Sequence, residues 1–213
     1  IQMIQAVPEF LSFFQCWRCG AAEPQWSVQG ISCPGCGEFF PYRNGYLDLY
    51  QGQNDEVTPF QQLMQIRPIV AVYEATWRQL GYFIASKHSF GRDLDRIATL
   101  ITGPKSVVLD LACGPGNVTR RIARRMPSAT VIGLDLSHEM LERAVRVTRK
   151  EGLNNVYYMR GSALSTPFRD TTVDAISCCG ALQLFRPEDE AMAEIARVLK
   201  PGGQFVCQTT LGP

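Results

Sequence analysis

The stretch Val107-Val-Leu-Asp110-Leu-Ala-Cys-Gly114-Pro-Gly116 decides the fold. Residues 106–111 form a continuous apolar run, the pattern of a strand buried on both faces of a parallel sheet. Glycines follow at once, and residues 117–126 have the amphipathic period of a helix that Pro127 stops. A chain that leaves a strand, turns on glycine and enters a helix exposes free backbone N–H groups, and the missing Cβ atoms let a ligand approach closely. Taken alone, the glycine pair marks a nucleotide-like ligand or a tight turn with no ligand.

Downstream the alternation continues. Residues 130–134 read as a second strand. Ser137 caps a helix running to about 151, with Glu139 and Glu142 near its positive end, Arg146, Arg149 and Lys150 near its negative end, and Gly152 closing it. Residues 156–159, 175–179 and 204–209 are further strands, and 188–199 a helix ended by Lys200-Pro-Gly-Gly203. This order predicts an α/β, Rossmann-like sheet with helices on both faces. Asp135 ends the second strand about 20 residues past the glycines, where a carboxylate can accept from both ribose hydroxyls. Residues 161–168 and 174–185 leave the third and fourth strands toward the same crevice.

Upstream, Cys16-Trp-Arg-Cys19 and Cys33-Pro-Gly-Cys36 each bring two thiols to one turn, and four thiolates from two such turns make a tetrahedral zinc site. Gly20 and Gly37 supply the permissive backbone that such turns need. Zinc ringed by Cys16, Cys19, Cys33 and Cys36 has no open position, so its role is structural; the competing reading is a pair of disulfides in a secreted module. Residues 58–100 read as helical, with Pro68 as a break and Ile69, Val72, Tyr73, Trp77 and Leu80 at helical spacing. A second short helix is expected at 92–101. The organisation is thus a zinc-ribbon module over 1–52, a helical lid or linker over 53–104 and a nucleotide-binding domain over 105–213.

Composition limits the alternatives. The 213 residues are 46% hydrophobic, and 21 Lys plus Arg against 20 acidic residues leave a formal charge of +1. Such a balance argues against broad nucleic-acid or anionic-lipid binding. Arg120, Arg121, Arg124 and Arg125 have the spacing of a solvent-facing helix side. No apolar run approaches the roughly 18 residues of a membrane span, and the first residues lack the plan of a signal peptide. Cys113, Cys178, Cys179 and Cys207 lie scattered in apolar stretches and suit a reducing compartment, so a soluble, cytoplasmic protein is expected, or a plastid one after removal of a transit peptide.

In order and spacing, Val-Leu-Asp-Leu-Ala-Cys-Gly-Pro-Gly, Gly-Leu-Asp-Leu-Ser-His-Glu-Met-Leu, Thr-Pro-Phe and Glu-Ile-Ala-Arg-Val-Leu-Lys-Pro-Gly-Gly resemble the class I S-adenosylmethionine-dependent methyltransferases, in particular UbiE-type domains. The resemblance covers residues 105–210. It implies cofactor contacts from Asp110, Ala112, Gly114 and Gly116 at the methionyl part, Asp135 at the ribose, Leu136 and Met140 around the adenine, Ser162 and Ala163 at its edge, and Cys179 and Gly180 beneath the methyl donor. Relatives commonly carry Asp where Ser162 stands, so the adenine amino group meets a weaker acceptor here. Many carry His in place of Gln183, which cannot serve as a general base. They also continue past the last strand with a helix and two more strands, so the sequence is expected to be a partial chain.

The segment around the four cysteines, through Phe39-Phe-Pro-Tyr-Arg-Asn-Gly-Tyr-Leu-Asp-Leu, is similar to ribbon extensions of bacterial and plastid methyltransferases, most of which act on small, often quinone-like acceptors. What the resemblance implies is O- or C-methylation of a small molecule, working mainly by positioning. His88, in the linker between the lid helices, is the candidate base or orienter, against an exposed loop His; His138 has the look of a surface residue. The alternatives are a ribosomal RNA guanine methyltransferase, which can join the same ribbon to the same fold, a relative that uses the cofactor for other chemistry, and a binding module without activity.

Overall fold

The computed structural model describes residues 9–16, 18–50, 90–104 and 107–209. Among these, nine strands form one sheet in the order β1-β2-β3-β4-β7-β6-β5-β8-β9. Strands β5 (Val107–Leu111), β6 (Thr130–Asp135), β7 (Val156–Arg160), β8 (Val173–Cys179) and β9 (Leu199–Gln208) are parallel neighbours. Helices α1 (Phe90–Leu100), α2 (Asn117–Arg125), α3 (His138–Lys150) and α4 (Glu188–Val198) complete the layers. The strand order reverses beside β5, and there the carboxyl ends of α/β strands open a crevice.

Side chains of successive strand residues point to opposite faces. Val108, Val131 and Ala175 pack with Leu94, Ile97, Val118 and Ile122 of α1 and α2 on one face. Leu109, Leu111, Ile132, Leu134 and Ile176 point to the other, where they meet Ala191, Ile195 and Val198 of α4. All five residues of β5 are buried, which is why its sequence is apolar at every position but Asp110.

The N-terminal segment joins this architecture directly. Strands β1 (Gln25–Ser27), β2 (Gly30–Ser32), β3 (Phe39–Arg43) and β4 (Tyr46–Asp48) form antiparallel hairpins, and β4 then pairs in parallel with β7 through Leu47 with Met159 and Asp48 with Arg160. The edge of the parallel sheet is therefore covered rather than left open. Phe10, Phe14, Ile31, Phe40, Leu47 and Leu49 belong to the same buried cluster as Leu109 and Ile132. The connection from β7 to β8 contains no helix, and the 3-10 turn Glu9–Phe13 with Phe14 covers that face instead: Phe14 bridges Phe168, and Gln15 N–H donates to the Pro167 carbonyl at 2.7 Å.

Two features depart from the sequence pattern. The Lys200-Pro-Gly-Gly203 stretch does not form a separate turn: β9 begins at Leu199 and absorbs it as an irregularity opposite Val173 and Ala175. Arg120 is not on a solvent-facing side but 6% exposed, donating to the Pro115 carbonyl at 2.6 Å and to Asn117 at 3.0 Å beneath the glycine turn. No helix among the described residues is long and apolar enough to cross a membrane.

Candidate functional site

Register brings the expected residues into one row. Leu111 stands opposite Leu134 and Cys178, and Asp135 opposite Arg160, so Ala112, Leu136, Gly161 and Cys179 leave four adjacent strands at one end of the sheet. The turn after β5 is built from left-handed backbone: Ala112 has φ 50°, Gly114 54° and Gly116 74°. A side chain at Ala112 in that region is strained, the kind of conformation that surrounding structure must enforce. Gly116 has no alternative, because a Cβ there would lie 2.3 Å from the Tyr158 hydroxyl. Gly114 and Gly180 differ: both have left-handed φ, and a Cβ on either would meet nothing within 4 Å. At each of the two, bare backbone borders open space.

Asp135 closes this turn. Its Oδ2 accepts from the Gly114 N–H at 2.7 Å and its Oδ1 from the Ser137 N–H at 2.8 Å. A carboxylate at this strand end is the type of group that accepts from ribose hydroxyls. Ser137 caps α3 as its sequence position suggests, its side chain accepting from Met140 N–H at 3.3 Å. Met140 and Ala163 are buried, Leu136 is half-buried, and the buried Ser162 hydroxyl accepts from Leu164 N–H at 3.0 Å. Cys179 donates to Gln208 at 3.0 Å, and the amide of Gln183 donates to the Gly180 carbonyl at 3.1 Å.

Asp110 lies elsewhere than in the crevice. It is 1% exposed and accepts from Thr119 at 2.6 Å and Ser177 at 2.7 Å, tying β5 to α2 and β8. Burial pushes its carboxyl up from 3.8 to about 6 against the pull of those hydroxyls. The folded protein therefore holds this proton more tightly than the unfolded chain. Ionising Asp110 costs stability, nothing below pH 3.8 and the full amount above about 6. The difference corresponds to roughly 3 kcal/mol. In Asp110→Asn an amide accepts from one hydroxyl and donates to the other, so urea unfolding should show the variant gaining on the wild type as pH rises from 4 to 7. Parallel stability curves would contradict this assignment.

Cys16, Cys19, Cys33 and Cys36 bring their sulfurs within 4.8 Å of one another. Cys16 to Cys36 is 3.8 Å and Cys19 to Cys33 is 3.4 Å. A tetrahedron with Zn–S bonds of about 2.3 Å has edges of about 3.8 Å. The two turns are alike: Gly20 N–H donates to the Cys16 carbonyl and Gly37 N–H to that of Cys33, each glycine at φ 73°. Burial pushes the Cys33 thiol up, but the N–H groups of Cys36 and Gly35 outweigh it and hold the thiol down to about 7. Four convergent sulfurs with amide support suit a soft divalent ion.

The scattered cysteines separate by depth: Cys113 and Cys178 are buried, Cys179 is half-buried, and Cys207 is exposed on β9. His88 and most of the helical stretch expected at 58–100 lie outside the described residues. His138 is not a plain surface residue: it meets the Tyr46 hydroxyl at 2.5 Å, and partial burial followed by the nearby Arg160 lowers its pKa. Sequence reasoning missed Arg120, Tyr158 and Arg160, because each acts through tertiary contacts that leave no local pattern. Only the spacing of Arg120, one turn past Gly116, hinted at its role.

Residues 108–203 match the family described as "Methyltransferase domain". A demethylmenaquinone methyltransferase of Lactiplantibacillus plantarum is 40% identical over 108 residues, covering 50% of this chain and 46% of that protein. An uncharacterised chloroplastic methyltransferase of Arabidopsis thaliana is 29% identical over 194 residues, 85% of this chain and 54% of that protein. The YcgJ protein of Bacillus subtilis superposes with a TM-score of 0.51 at 31% identity, covering 55% of this chain and 49% of that one. The chain spans about half the length of these relatives. Residues 108–203 thus match a methyltransferase domain in sequence, and they fold as its solved relatives do, with four strand ends around a left-handed glycine turn and its carboxylate.

Proposed function

We propose that this chain transfers a methyl group from S-adenosylmethionine to a small, lipophilic, quinone-like acceptor. The observation that carries the proposal is the open space beside Gly114 and Gly180, bordered by the anchored carboxylate of Asp135. Bound there, S-adenosylmethionine supplies an electrophilic methyl on a sulfonium. Gly114 and Gly116 pass its methionyl part, Asp135 accepts from the ribose hydroxyls, Leu136 and Met140 flank the adenine, and Ser162 and Ala163 lie at its edge. Cys179 and Gly180 form the floor. Ala112 belongs to this cradle through its backbone, and Asp110 serves it from below by fixing the strand that carries the turn.

The acceptor class rests on the demethylmenaquinone methyltransferase named among the relatives. In its reduced, hydroquinone form such an acceptor supplies the electron pair: its ring carbon or oxygen bonds the methyl as the methyl–sulfur bond breaks, and S-adenosylhomocysteine leaves. The acidic acceptor proton passes to solvent or a nearby base, so alignment matters more than a strong base. Gln183 orders the loop after β8 through Gly180 and Thr209, and His88 is the candidate base or orienter. The four cysteines hold structural zinc.

Titration calorimetry with S-adenosylmethionine, followed by a methyl-transfer assay with demethylmenaquinone reduced beforehand to its hydroquinone as the probe acceptor, tests the proposal. Binding and methylated product are expected. No heat overturns the cofactor assignment. Cofactor binding without product, together with RNA binding that weakens steeply with salt, transfers the assignment to an RNA acceptor.

A further inference from the structure

Arg160 ends β7, in register with Asp135 of β6 on one side and with Asp48 of β4 on the other. Its side chain bridges the same two strands. The Nε–H donates to the Leu136 carbonyl at 2.9 Å, one terminal nitrogen donates to Asp48 at 3.4 Å, and the guanidinium lies 4.6 Å from the Tyr50 ring centroid. Asp48 is 3% exposed and also accepts from Arg43 and from the Tyr50 N–H.

The Leu136 carbonyl and the Ser137 N–H belong to one peptide unit, which is planar and rigid. Arg160 holds the carbonyl end of that unit. Its other end donates to Asp135 Oδ1. Fixing the carbonyl therefore fixes the direction of the N–H, and with it one oxygen of the carboxylate assigned to the ribose. The same β4 strand grips the next residue, since the Tyr46 hydroxyl meets His138 Nδ1. Both contacts come from the N-terminal module, more than 80 residues away in sequence.

We propose that Arg160, held by Asp48, is a positioning residue that orients Asp135 toward the cofactor ribose, so that the N-terminal module sets cofactor affinity and ribose preference. This rests on the cofactor reading above. Arg43 provides an internal control, because it touches Asp48 from the solvent side, 57% exposed, and its Nε and Nη2 both donate to Asp48 Oδ2.

The test is titration of the full chain with 5′-methylthioadenosine and with its 2′-deoxy analogue, in wild type, Arg160→Gln, Arg160→Lys and Arg43→Gln. One well-aimed hydrogen bond to a charged group makes the wild type prefer the ribose by about tenfold. That preference should shrink to about twofold in Arg160→Gln and in Arg160→Lys, whose ammonium can still pair with Asp48 but has no second nitrogen for Leu136. Arg43→Gln should keep the wild-type value. General destabilisation would weaken both ligands equally and leave the ratio alone. An unchanged ratio in either folded Arg160 variant overturns the proposal; should Arg160→Gln not fold, Arg160→Lys decides. If the wild type binds neither ligand, the cofactor reading has failed instead.

Discussion

Replacing Cys33 and Cys36 together by Ser should abolish metal binding and collapse the thermal transition of the whole chain, not of its first fifty residues alone. Structural zinc contributes an apparent 10–16 kcal/mol in small zinc modules, about the entire stability of an ordinary domain. Here the dependence extends further. Phe14, Ile31, Phe40 and Leu47 are at most 1% exposed and lie in the cluster that includes Leu109 and Ile132. If the cysteine turns open, these side chains leave a core that nothing else fills, and each lost large residue costs about 3–5 kcal/mol. Wild type should contain about one zinc per chain and melt in one transition, and the double variant should melt far lower or not cooperatively. A double variant that melts with the wild type would refute a metal-dependent core. Two separate wild-type transitions would refute a shared one.

Asp135→Ala should weaken S-adenosylmethionine binding by about 10² to 10⁴. Two hydrogen bonds to a charged group contribute about 1.5–3 kcal/mol each, and about 1.4 kcal/mol is tenfold in affinity. The substitution also frees the Gly114 and Ser137 N–H groups from the carboxylate that aligns them. Calorimetry measures the loss directly, and a melting curve taken beside it separates lost affinity from lost structure. Equal affinity in a folded Asp135→Ala protein would remove the ribose assignment.

Much of this arrangement is legible in the sequence, because local physics writes it there. A strand apolar but for Asp110, a hydroxyl before a helix and glycines after paired cysteines each report a local need, and the structure shows β5 fully buried, Ser137 capping α3, and Gly20 and Gly37 in left-handed turns. Arg120 shows where such reading stops. Its neighbours Arg121, Arg124 and Arg125 suggest a wet helix face, yet one turn beneath the glycine loop a guanidinium finds the Pro115 carbonyl and Glu151, and burial follows. Asp110 looks like a ligand contact from its motif, but hydroxyls on two other elements claim it. The pairing of Leu47 with Met159 has no local signature, since either side of that contact looks like any short apolar stretch.

That pairing also bears on how the chain acquires its structure. Ser12 reaches Arg169 and Asp48 reaches Arg160, separations of 157 and 112 residues. Contacts so distant in sequence slow folding, because a long loop must close before they form. A ribosome releases the cysteine turns first and the strand they dock against much later. For that interval Phe14, Phe40 and Leu47 have no lasting cover, and early capture of metal by the four thiolates would hold the hairpins ready until β7 emerges.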